Sequence, residues 1–69
     1  MPENFNVGDR VKIQLDANRW GIGGWFEGSV VRIEPYSQHR SFYWVELDQP
    51  LPGGTRLISV FNPKNIQPA

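Results

Sequence analysis

Few residues of this chain have the types and spacing that catalysis or metal binding requires. His39 is the single histidine, and it lies in a polar stretch between Gln38 and Arg40. That stretch lacks the partners that a metal site or a nucleophile–histidine–acid triad needs. The chain contains no cysteine, which excludes disulfides, thiolate ligands and cysteine nucleophiles. We therefore expect no catalytic residues, no metal site and no cofactor.

Two further patterns resemble chemical sites but have simpler explanations. Glu46 and Asp48 lie two positions apart and could act as paired carboxylates, although strand acids at this spacing usually face water and meet basic residues on a neighbouring strand. Gly21, Gly23 and Gly24 lack the Lys-Ser/Thr pair and the following helix of a phosphate-binding loop. We interpret them as positions of a tight loop that need positive φ angles.

Basic residues recur along the chain, and a row of them on one sheet face could bind phosphates. The row consists of Arg10, Lys12, Arg32, Arg40 and Arg56. Glu27, Glu34 and Glu46 are interleaved with it, and seven basic residues balance seven acidic ones to a net charge of zero. Counterion release therefore gives little support to nucleic-acid binding, and ordinary cross-strand ion pairing is the favoured interpretation.

Aromatic residues are the most informative feature, because three Trp, four Phe and two Tyr occur in 69 residues. A domain this small buries only about 60% of its unfolded surface, so we expect Phe26, Tyr43 and Phe61 in the core and other rings at the surface. Exposed aromatics mark interfaces. The rings that we expect outside the core are Trp20, Trp25, Phe42 and Trp44. Alternatively, Trp20 and Trp25 fold back as a lid over one open end.

Short strands separated by turns must position these residues, because apolar side chains alternate and Gly or Pro interrupts nearly every window. The predicted strands cover residues 10–15, 25–33, 42–47, 56–61 and a short stretch from 66. A bulge near Val31 would point Phe26, Gly28, Val30 and Ile33 inward, with Gly28 allowing a crossing backbone to come close. Residues 62–65 are predicted to form one helical turn, and no other helix is expected.

The first residues lack the apolar run of a secretory signal, and no apolar stretch is long enough to span a membrane. We therefore expect a cytoplasmic chain that does not bind membranes. Residues 1–69 are predicted to form a single all-β domain, with strands between about residues 7 and 67.

Four segments resemble the Agenet and Tudor domains of the Royal superfamily. They are VGDRV at 7–11, WFEGSVV at 25–31, YWVELD at 43–48 and IQP at 66–68. The resemblance implies a five-stranded SH3-like small barrel with one 3-10 turn before the last strand. Methyl-reading members of the superfamily hold a methylated cation in an aromatic cage. The resemblance puts Trp20 or its neighbour Arg19 at one cage position and Phe26 at another. The other two positions fall near Glu46 or Leu47 and near Gln49 or Pro50.

Two other families of small barrels resemble parts of the chain. Accessory subunits such as photosystem I subunit IV are similar in length, in the first strand and in the Trp-Phe start of the second strand. The type II dihydrofolate reductase, an oligomer with a central pore, has a similar Gly-Asp-Arg-Val opening. The segment 59–63, SVFNP, lacks the Gln-Ile-Tyr of that enzyme's site.

We predict a non-catalytic interaction module that binds a protein or peptide and could serve as an accessory subunit of a larger complex. The predicted binding residues are Trp20, Trp25, Phe26, Gln49, Pro50 and Leu51. Phe42 and Trp44 form a predicted secondary face. The alternatives are a nucleic-acid-binding barrel and, third, an oligomeric pore-type reductase; the sequence leaves the oligomeric state open.

Overall fold

The computed structural model describes residues 5–69, which form five strands, a single-turn α-helix and a 3-10 turn. The elements are β1 Arg10–Leu15, α1 Ala17–Trp20, β2 Gly24–Pro35, β3 Ser41–Leu47, β4 Leu57–Val60, the 3-10 turn Pro63–Asn65 and β5 Ile66–Pro68. The all-β prediction, with five strands and one 3-10 turn before the last, is confirmed. The expectation that the first residues do not form a secretory signal concerns residues 1–4 in part, and these lie outside the described residues. No helix within residues 5–69 has the length and apolar character to cross a membrane.

The strands form one antiparallel sheet in the order β4-β3-β2-β1-β5. β1 to β4 follow one another as a meander, and β5 then returns beside β1, which leaves β4 and β5 as the edges of an unclosed sheet. A flat sheet would hold these edges about 19 Å apart. Ile58 on β4 and Ile66 on β5 nevertheless belong to one buried cluster. We infer that the sheet curls around its own core.

β2 carries the predicted bulge. Val30 pairs with Val45, but the next pair is Arg32 with Trp44, so the register shifts by one residue at Val31. The shift leaves Val31 exposed on the outer face and lets both Val30 and Ile33 point inward. The predicted position of the bulge is confirmed.

Gly28 lies where β2 crosses both neighbouring strands, paired with Val11 on one side and Leu47 on the other. A Cβ atom at this position would lie 2.4 Å from the carbonyl oxygen of Glu46. The expectation that Gly28 permits a close backbone approach is therefore confirmed.

The buried core is aliphatic apart from one ring. Its members are Phe5, Val11, Ile13, Leu15, Val30, Val45, Leu47, Leu51, Ile58, Val60 and Ile66. Phe26 and Tyr43 pack against this core as half-buried residues. The prediction that Phe61 is a core residue is wrong, because it is 51% exposed. Ile58 and Val60 occupy the inward positions of β4, so the alternation of the strand sends Phe61 outward.

The helix α1 contradicts the prediction that residues 62–65 form the only helical turn. Asp16 caps its N-terminus by accepting a hydrogen bond from the Asn18 backbone N–H at 2.9 Å, and Gly21 ends it in the left-handed region at φ 79°. These are ordinary start and stop signals for a helix. Of the three glycines expected at positive φ, Gly21 and Gly24 have it, whereas Gly23 does not.

Candidate functional site

Three of the predicted binding residues lie together at one end of the sheet. Trp25, Phe26 and Gln49 line a cavity of about 300 Å³ where β2 begins and β3 ends. Trp25 is 41% exposed, and the Lys12 ammonium lies 5.6 Å from its ring centroid, within cation–π range. Three of the six predicted binding residues therefore share one cavity.

The other predicted binding residues lie elsewhere. Trp20 lines a separate groove of about 360 Å³, opposite β4. Its half-buried ring packs against the core, as the lid alternative expects for Trp20 but not for the exposed Trp25. Leu51 is itself a core residue, whereas Pro50 is exposed. The structure therefore does not bring the six residues into one surface, and α1 is the reason, because this turn carries Trp20 towards the edge of the sheet.

The predicted secondary face is larger than the sequence indicated. Phe42 stacks on Phe61 with ring centroids 4.3 Å apart and an interplanar angle of 14°. Tyr36 meets Phe61 edge-on at 5.4 Å, and Trp44 meets Phe42 edge-on at 6.0 Å. We call Tyr36, Phe42, Trp44 and Phe61 the outer aromatic face.

Strand alternation explains why these rings share the solvent side of the sheet. Trp44 pairs with Ser59 on β4, and the same register brings Phe42 opposite Phe61 just beyond the end of the ladder. Tyr36 is 46% exposed and Phe61 51% exposed. The sequence did not indicate either residue as a site member. The alternation of inward and outward residues along β4 could, however, have predicted Phe61 on the outer side of the sheet.

A cavity of about 250 Å³ adjoins the outer aromatic face. Its lining includes Tyr36, Phe61 and Pro63 together with the exposed His39 and Arg40. A cavity lined by aromatic rings and a few donors suits a single apolar or amphipathic side chain of a partner.

The opposite end of the outer aromatic face is held by a polar network. The Trp44 indole Nε1 donates to Glu34 Oε2 at 3.1 Å, and Arg32 Nη2 lies 2.7 Å from Glu34 Oε1. The Glu34 carboxylate therefore holds both the Trp44 indole and the Arg32 guanidinium. The Trp44 ring also lines another cavity, of about 390 Å³, together with Leu57.

Ion pairs engage part of the predicted basic row. Arg10 binds Asp48 with both guanidinium Nη atoms, at 2.7 and 2.5 Å, and its Nη2 lies 3.8 Å from Glu27. The hydrogen bond from Arg10 is the main cause that lowers the pKa of Asp48, and the same bond raises the pKa of Arg10. Cross-strand pairing, the favoured interpretation, is confirmed for Arg10. Within residues 5–69, no three His or acidic side chains are grouped as metal ligands.

Comparison with known proteins leaves the function to be argued from this geometry. No protein-family model, curated protein or solved structure matches the chain. The likeness to Agenet and Tudor domains remains a prediction from four short segments. The outer aromatic face does not depend on that likeness, because it is defined by the ring contacts described above.

Proposed function

We propose that the chain is a non-catalytic interaction module that binds a protein or peptide through the outer aromatic face. The observation that carries this proposal is the stack of Phe42 on Phe61, with Tyr36 at its edge, on the solvent side of the sheet. The buried core does not include these rings. Grouped and partly exposed aromatics are typical of interface anchors.

The arrangement suits a partner that presents one apolar side chain next to an extended backbone. The parallel rings of Phe42 and Phe61 offer a broad apolar surface, and the cavity beside Tyr36 gives one partner side chain a place to be buried. Arg40, an exposed residue of the cavity lining, can donate to carbonyl or carboxylate groups of the partner. Truncation of an anchor in such a site typically costs about 2 kcal/mol or more of binding free energy.

We further propose that the curled sheet is a small barrel of the SH3-like type. The strand order and the position of β5 beside β1 directly after the 3-10 turn support this assignment. A cytoplasmic accessory subunit of a larger complex is the setting that we propose for such a module. Recognition of methylated side chains is not part of the proposal, because the outer aromatic face does not include Trp20 or Phe26.

Single-stranded nucleic acid is the second candidate partner, because exposed rings also stack on bases. Arg40 beside Tyr36 is the feature that favours it. Against it, Arg10 and Arg32 are already paired with acids, and the net charge is zero. Protein or peptide binding is therefore the better-supported function.

Selection from a phage-displayed library of random peptides tests the proposal. The affinity of a selected peptide is measured by calorimetry for the wild type, Tyr36→Ala and Phe42→Ala, with Trp25→Ala as the control. Trp25 is a comparably exposed ring outside the face. We expect the first two variants to lose about tenfold or more in affinity, which equals roughly 1.4 kcal/mol, and the control to bind like the wild type.

Two outcomes would contradict the proposal. Loss of binding in Trp25→Ala but not in Tyr36→Ala would move the site to the cavity between β2 and β3. Failure to select peptides, together with binding to a mixed-sequence single-stranded oligonucleotide that weakens steeply with salt, would favour the nucleic-acid alternative.

A further inference from the structure

The backbone of β4 has one hydrogen-bonding side that no described strand uses. Leu47 N–H donates to the Arg56 carbonyl at 2.8 Å, whereas Asp48 N–H donates in the other direction, to Glu27 of β2. Because bonding sides alternate along an antiparallel ladder, Ile58 turns its N–H and C=O towards β3. Ser59, the next residue along β4, turns its own away from the sheet.

A groove lies beside this free edge. The groove of about 360 Å³ lies between Ser59 with its neighbours on β4 and the α1 turn that carries Trp20. Within residues 5–69, no backbone or side-chain hydrogen bond from outside β4 reaches the N–H or C=O of Ser59. The N–H and C=O of Ser59 are therefore left without a described partner along this groove.

The sequence of the edge lacks the usual protection against strand pairing. The segment 57–61, LISVF, contains no charge and no proline, which are the residues that most often block sheet edges. By contrast, β5 at the other edge ends in Pro68. The difference singles out β4 as the edge that can extend the sheet.

We propose that β4 pairs in antiparallel fashion with β4 of a second copy of this chain, with the two-fold axis passing between the two Ser59 residues. In that register each Ser59 exchanges N–H···O=C bonds with Ser59 of the second copy, because both turn their free groups to the same interface. A two-fold axis requires this kind of self-complementary surface. The inference goes beyond the proposed function and is argued without it, although Phe61 belongs to both surfaces.

The side chains around Ser59 also complement one another under this symmetry. Leu57 and Phe61 lie two positions before and after Ser59, both on the outer side, and are 49% and 51% exposed. Pairing through Ser59 puts Leu57 of each copy opposite Phe61 of the other copy. The two side chains of each pair then cover each other's apolar surface. Arg56 comes to lie opposite Asn62 of the second copy, and no like charges meet. This match of register and surface is what favours a second copy over an unrelated extended peptide.

The interface is one short strand wide, so it belongs to the small and transient class. Sedimentation equilibrium of the wild-type chain should show the mass rising from 7.9 kDa towards twice that value as concentration increases from about 10 µM to about 1 mM. A constant monomer mass over that range overturns the proposal.

Charge substitutions at Ser59 test the position of the axis. Ser59→Lys and Ser59→Asp each put like charges directly opposite one another, and each should weaken self-association at least about tenfold. An equimolar mixture of the two variants should associate again as a heterodimer, because opposite charges then face each other across the axis. Gln67→Lys, an exposed substitution on the other edge strand, is the matched control and should associate like the wild type.

Several results would overturn the proposal. One is self-association that persists in Ser59→Lys, and another is a Ser59→Lys and Ser59→Asp mixture that remains monomeric although circular dichroism shows both variants folded. Equal loss in Gln67→Lys would point to β5 instead. Peptide affinity of Tyr36→Ala, a residue outside β4, reports on the proposed function separately, so the two proposals can fail independently.

Discussion

Replacement of Gly28 by alanine tests how closely β2 and β3 cross. The added Cβ would lie 2.4 Å from the Glu46 carbonyl oxygen, and 3.0 Å from both the Glu46 carbonyl carbon and Leu47 Cα. These are backbone atoms of the paired strand and cannot rotate away, so the strands must separate by about 1 Å to reach ordinary contact. Overpacking of this kind costs about 1–3 kcal/mol and sometimes more.

A domain of this size has only about 3–5 kcal/mol of unfolding free energy. We therefore expect Gly28→Ala to remove about 3 kcal/mol and to leave the chain partly unfolded at 25 °C. Urea denaturation followed by tryptophan fluorescence measures the loss. Gly54→Ala is the control, because a Cβ there meets nothing within 4 Å and suffers only from a φ of 92°, which costs about 1–2 kcal/mol. A wild-type urea midpoint for Gly28→Ala, or a larger loss in Gly54→Ala, would refute the reasoning.

Three other substitutions have defined expectations. Val30→Asp should abolish the folded circular-dichroism spectrum, because Val30 is 1% exposed and a charge there has no partner; a folded variant would contradict the assigned facing of β2. Trp20→Ala should lower the unfolding free energy by about 1–2 kcal/mol, less than for a fully buried ring, and leave peptide affinity unchanged; a wild-type melting temperature would show that Trp20 is not a lid. Because Arg10 lowers the folded-state pKa of Asp48, the pair stabilises the fold above the unfolded-state pKa near 3.8 and loses this effect as pH falls through the folded-state value. The difference in urea midpoint between wild type and Asp48→Asn should therefore shrink between pH 7 and strong acid, and a constant difference would exclude this linkage.

Local patterns in the sequence account for most of the fold. Alternation of Val11, Ile13 and Leu15 predicted β1, and the change of parity after Val30 predicted the bulge, because each depends only on residues of one strand. The 3-10 turn is equally local, since Asn62 caps it by accepting the Lys64 backbone N–H at 2.9 Å. The capping residues of α1, Asp16 and Gly21, are equally local, but both types are also typical of loops.

Features that depend on separate parts of the chain were harder to predict. Phe5 lies before the first strand, yet it is buried and meets Tyr43 edge-on at 5.5 Å, a contact that no local pattern indicates. The separation of Trp20 from Trp25 depends on the direction in which α1 leaves β1. Phe61 continues the alternation of Ile58 and Val60 and so lies on the outer side, although a large apolar residue at the end of a strand is typical of the core.

The most direct test of the interaction surface is a map of backbone amide chemical shifts during titration with a library-selected peptide. The account predicts that the largest changes occur at the outer aromatic face, on the amides of Tyr36, Phe42 and Phe61 and of Arg40 in the cavity lining. Largest changes at Trp25 and Gln49, with the outer aromatic face unaffected, would contradict it.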